Sequence, residues 1–112
     1  MEESILISIK KLLGITKEYE NFDTDIIIFI NTAFSTLNEL GVGPEDGFMI
    51  EDDSTTWNEY IDDRKDLNDV QTYIYLRVKL LFDPPLNSSV LESNKQMINQ
   101  LEWRLNVKAE SK

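Results

Sequence analysis

Between Ile26 and Leu40 the chain sets Ile26, Ile30, Ala33, Phe34, Leu37 and Leu40 three and four residues apart. Only a helix brings that spacing onto one face, whereas a strand would scatter the same side chains over two. Ile27 and Phe29 widen the stripe, and Gly41 stops it. Asp23 or Thr24 stands where an N-cap is needed, with Asp25 in the first turn. Phe22, just ahead of the cap, is placed to staple onto that turn. A helix with one wide apolar face must bury it, so this segment demands partners of the same kind.

The spacing recurs. Ile5, Ile9, Leu12 and Leu13 share a face in a segment from about Glu3 to Leu13, where Gly14 and then Ile15 read as a left-handed cap with a hydrophobic contact behind it. From Lys65 to Phe82, Leu67, Val70, Ile74, Val78 and Leu81 form one face and Tyr73, Leu76 and Leu80 a second. A helix apolar over so much of its circumference belongs at the centre. Asp83-Pro84-Pro85 ends it, because proline lacks the N–H and disfavours helix in the residue before it. The last helix starts at Ser88 or Ser89, with Ser89 and Glu92 spaced as a capping box. Its stripe through Leu91, Asn94, Ile98, Leu101 and Leu105 is narrow, which suits an outer helix or a seam for a partner. From Gly41 to about Asn58 the periodicity breaks. Phe48, Met49 and Ile50 could pair with Ser54 to Trp57 as a short hairpin, with a helical turn over Asn58 to Ile61. The fold class expected is mainly α, a small bundle of about four helices with a long loop or short β-hairpin between the second and third. Residues 1–112 form one domain, with 106–112 expected to fray.

The chain has no cysteine and no histidine. Disulfides, thiol chemistry, cysteine-based zinc sites and the commonest general base are thereby excluded. The opening MEESILISIKK is acidic first and does not read as a secretory leader. No apolar run is long enough for a membrane span, so no membrane partner is expected. The net charge is −10. Residues 45–69 hold ten acids against two bases, whereas residues 70–112 hold four acids against six bases. Gripping nucleic acid from outside needs Lys and Arg at phosphates, which this balance disfavours. An acidic middle beside a mildly basic C-terminal part is instead arranged to attract neighbouring copies head to tail.

Glu51, Asp52, Asp53, Asp62 and Asp63 are the densest acids. Glu51-Asp52-Asp53-Ser54 lacks the turn glycine of a calcium loop, and these acids read as a solvated acidic surface. No phosphate-binding glycine loop and no nucleophile elbow is present. Catalytic, metal and cofactor sites are therefore not expected. Phe48, Ile50, Trp57, Tyr60 and Trp103 are the candidates for a protein interface. Tryptophan is enriched at interface hot spots and is equally a large core residue, and both readings stay open for Trp57 and Trp103.

The order of helices and breaks is familiar. Leu13-Gly14-Ile15 closes the first helix and Phe22-Asp23-Thr24-Asp25-Ile26 opens the second. Leu37 to Pro44, Phe48 to Asp52 and Thr56-Trp57 follow. Tyr73 to Pro85, Ser88 to Ser93 and Leu101 to Val107 complete the series. This resembles the small head–tail connector (adaptor or head-completion) proteins of long-tailed bacteriophages and prophages. The resemblance implies a structural virion protein made in the bacterial host cytoplasm, with no cofactor. It implies a homo-oligomeric ring under the portal protein, extending the DNA exit channel and meeting a further connector or tail-completion protein, with DNA only as passing cargo. In such a ring Glu51, Asp52, Asp53, Asp62 and Asp63 would line the lumen or a ring contact. The rival is an acidic DNA-mimic inhibitor of a host nucleic-acid enzyme, which needs carboxylates arrayed along an elongated face. An acid-using enzyme fits least.

Overall fold

Ser4 begins the folded chain: its hydroxyl accepts the Ile7 N–H at 3.2 Å and caps the first helix. In this computed structural model, which describes residues 3–61 and 64–110, five helices follow in order. They are α1 (Ile5–Leu12), α2 (Asp23–Glu39), α3 (Trp57–Tyr60), α4 (Arg64–Phe82) and α5 (Ser88–Glu110). The mainly helical expectation holds. The helical turn expected from Asn58 starts one residue earlier, as α3.

The glycine cap expected at Gly14 forms, and Gly41, expected only to stop its helix, makes a second. Ile15 N–H reaches Lys10 O at 2.8 Å and Gly14 N–H reaches Lys11 O at 3.0 Å, with Gly14 left-handed at φ 83°. Val42 and Gly41 repeat the pattern on Leu37 and Asn38 at 2.9 and 3.0 Å. In each case the residue after the glycine folds back on the helix and satisfies its last carbonyls.

α4 is central, as its circumference predicts. It packs against α2, α5 and α1. Val70, Tyr73, Ile74 and Val78 are buried in it, together with Ile26, Ile30, Ala33, Phe34 and Leu37 of α2. α5 is the outer helix and buries only Ile98, Leu101 and Leu105. It is helical to Glu110. The Asn106 amide donates to Leu40 O at 3.2 Å and Lys108 pairs with α4, so the last turns are tied down.

The structure departs from the sequence reading in five places. Leu12, assigned to the buried face of α1, is 53% exposed, and Lys10 is 1% exposed in its stead. Its ammonium donates to Tyr19 O at 2.8 Å and Lys17 O at 3.2 Å. It also lies 2.8 Å from Asp23 Oδ1, a charge contact and not an aligned hydrogen bond. Asp23 is consequently the first residue of α2, not its cap. Phe22 takes the cap position without a side-chain bond, its ring against Tyr19 and Phe82. Leu81 is likewise half exposed. At α5 the cap is Asn87, whose Oδ1 accepts from Ser89 and Val90 at 2.8 and 3.2 Å. Lastly, no strand forms among the described residues, and the 41–56 segment is the long loop of the two alternatives. The Asn31 side chain on α2 both donates to Ile50 O (2.9 Å) and accepts from Ile50 N–H (2.8 Å), filling the place of a hairpin partner. The return segment pairs elsewhere: Ile5 N–H to Thr55 O (3.0 Å) and Trp57 N–H to Glu3 O (3.2 Å) make a lone bridge beside Ser4.

Candidate interaction surfaces

The five interface candidates separate by burial. Trp57 is 2% exposed, and its indole N–H donates to Ser8 Oγ at 3.1 Å. Ile50 is held by Asn31. Tyr60 is buried against Phe34 and Phe48, with ring centroids 4.7 and 5.1 Å away, and its hydroxyl donates to Val42 O at 3.4 Å. Burial pushes this phenol well above its ordinary pKa. Phe48 is half-buried in the same cluster. The structure thus brings Phe48 and Tyr60 together in the core roof, with Ile50 buried in the same core and Trp57 under α1. Trp103 stands apart, 70% exposed on α5.

Trp103 lies two residues from both Leu101 and Leu105, about 200° round the helix from the buried face. The solvent side of α5 is continuous along this line. Ser89, Ser93, Gln96, Gln100, Trp103 and Val107 follow at alternating spacings of four and three, and all are exposed. None carries a charge, in a chain whose residues are 29% charged. The neutral seam was hidden from a reading that looked for apolar stripes only.

A concave surface lies where α1, α3 and α4 meet. Glu3, Ser8, Lys11, Leu12, Trp57 and Gln71 line an open cleft of about 440 Å³. Lys11 is exposed and makes no ion pair among the described residues.

The acids divide in two. Glu51, Asp52 and Asp53 are exposed on the loop. Asp52 Oδ1 accepts from Ser54 N–H at 2.9 Å and from its hydroxyl at 2.5 Å, and these bonds lower its pKa. Asp62 and Asp63 lie outside the described residues. Asp66 and Asp69, by contrast, turn inward to the C-terminal bases. Lys108 lies 3.3 Å from each, and Arg104 3.3 Å from Asp69. The bonds to Asp69 and Asp66 hold the Lys108 ammonium above its usual pKa. The opposite charges expected to draw copies together thus meet, in part, within one chain. Further along the α4–α5 contact, Tyr73 donates to Glu102 Oε2 at 2.7 Å and receives Arg77 at 2.6 Å, with Arg77 also 3.4 Å from Glu102.

These surfaces offer docking faces, and no group of three or more metal-ligating side chains gathers among the described residues. The sequence model of the family described as phage connector protein matches residues 5–112, which takes in all five helices. The chain belongs to this phage head–tail connector family. Its role as a phage structural connector follows from that membership. No curated protein matches the chain, and no solved structure does. Connector-family membership agrees with the resemblance read from the ordered helix breaks. No helix among the described residues is long and apolar enough to cross a membrane.

Proposed function

We propose that this connector assembles as a homo-oligomeric ring beneath the portal of the phage head, extends the DNA exit channel and presents a platform for the next connector layer or the tail. The family match over residues 5–112 carries the reading. The chain acts by docking and not by catalysis, is made in the host cytoplasm and ends in the virion. Its DNA contact is with passing cargo. The exposed loop acids Glu51, Asp52 and Asp53 contribute to the lumen, where carboxylates repel phosphates and a basic lining would hold them. Trp103 belongs to a protein contact. A DNA mimic would need its acids free along one face, and the pairing of Asp66 and Asp69 to Lys108 and Arg104 supports the connector reading over that one.

Deletion of the gene from the parent phage tests the proposal. Full heads and complete tails should accumulate unjoined, and supplying the chain from a plasmid should restore joined particles. Normal virions from the deletion would overturn it.

A further inference from the structure

The neutral seam and the cleft lie on opposite sides of the molecule. α5 meets α4 at Asp66, Asp69, Tyr73 and Arg77. Gln71, the α4 residue in the cleft, is two positions before Tyr73 and so about 200° round the helix from it. A face and its receptor on opposite sides of one chain give a heterologous contact, the kind that repeats from copy to copy and can close a ring.

We infer that the α5 seam of one copy docks in the α1–α3–α4 cleft of the next, with Trp103 as the anchor. This rests on the ring reading and names its contact. Two copies each carrying −10 repel, so a self-contact is favoured where like charges do not face each other: the seam is uncharged from Ser89 to Val107, and in the cleft Lys11 offsets Glu3. The cleft is chemically matched to an indole. Leu12 offers exposed apolar surface and Lys11 an ammonium without an ion partner among the described residues; Glu3 also lines the cleft, and Trp57, 2% exposed, closes its base and offers almost no free surface. A lysine over an indole face is attracted by the ring's negative quadrupole. An exposed tryptophan entering such a cleft has the composition of an interface hot spot.

The native chain has no cysteine, so introduced thiols report alone. Gln71→Cys marks the cleft and Gln100→Cys the seam, leaving Trp103, Lys11 and Leu12 in place. The two variants are mixed at high protein concentration and treated with a short bis-maleimide. The mixed Gln71→Cys/Gln100→Cys dimer should dominate over both like pairs. Adding Trp103→Ala to the seam variant should lower its yield by about thirtyfold, the size of a lost hot-spot contact, and Lys11→Glu in the cleft variant should lower it too. Both added changes are at exposed positions, and circular dichroism verifies the fold. A dominant Gln100→Cys homodimer would mean a two-fold α5–α5 contact and overturn the inference. So would mixed dimers no more abundant than in denaturant, or reaction of the seam only with added portal protein. If the mixed dimer forms but the gene deletion yields normal virions, the connector reading falls and the contact stands. If the deletion leaves heads and tails unjoined and the mixed dimer fails, the reverse holds.

Discussion

Lys10 is a buried charge whose partners all come from the fold. Its buried ammonium neutralises Asp23 and ties down two carbonyls of the α1–α2 loop. Lys10→Met keeps the stem but leaves those acceptors unmatched, and removing one partner of such a pair costs about 3 kcal/mol. Urea denaturation should show that loss, and an unchanged midpoint would refute the role given to Lys10. Gly43 has a different constraint. Its φ is 87°, and a β-carbon there would stand 2.5 Å from the Tyr60 ring. Gly43→Ala should cost about 2 kcal/mol from left-handed strain and displacement of Tyr60, whereas alanine at Gly14, with nothing near its β-carbon, should cost less. The Gly14 cap was legible in the sequence because a glycine followed by an apolar residue after a periodic stripe favours one local solution, and Gly41-Val42 follows the same rule. Lys10 was not legible there. A lysine beside Ile9 usually runs its stem along the surface, and only the fold-back of residues 14–22 brings three acceptors to its head.

The α4–α5 contact joins apolar packing to a polar network. Tyr73 is fully covered, with burial first and then the Glu102 bond pushing its phenol far above the ordinary tyrosine pKa. Tyr60 is raised by burial too. A raised folded-state pKa means that the unfolded chain releases the proton first. The associated stability is complete below the unfolded value of about 10 and declines as pH rises beyond it. Lys108, raised by Asp69 and Asp66, works in the same direction. Thermal melts should therefore lose midpoint steeply above about pH 10, and a Tyr60→Phe/Tyr73→Phe double variant should show a shallower alkaline limb than wild type. Equal slopes would remove the tyrosines from the account. At this scale the four long helices were legible, because each repeats its apolar spacing over several turns. The hairpin was a plausible misreading: Phe48 to Ile50 has strand composition, but the Asn31 amide, nineteen residues away, satisfies Ile50 through a contact no local pattern encodes. The seam on α5 escaped for another reason, since serine and glutamine on a solvent face look ordinary until their shared lack of charge is set against the chain's −10.

For the whole molecule, the distribution of charge determines how copies respond to salt. From sequence, an acidic middle and a basic end were arranged to pull neighbours together, an attraction that salt would weaken. Folding removes much of that possibility. Arg104 and Lys108 are held by Asp69 and Asp66 within the chain, while Glu51, Asp52 and Asp53 remain on the surface. What one copy presents to another is net repulsion across charged surfaces and short-range contact at a neutral one. Raising salt from about 0.1 M to 1 M shortens the screening length from about 10 Å to 3 Å, which suppresses the repulsion and leaves a buried indole contact largely intact. Self-association should thus strengthen with salt, read as a rising weight-average mass in sedimentation equilibrium. Asp69→Asn provides the control. It frees Arg104 and loosens Lys108, so these bases can reach the loop acids of a neighbouring copy, and the salt dependence should flatten or reverse. If the wild-type chain dissociates as salt rises, pairing between copies outweighs the pairing within them, and the neutral-seam account of assembly fails with it.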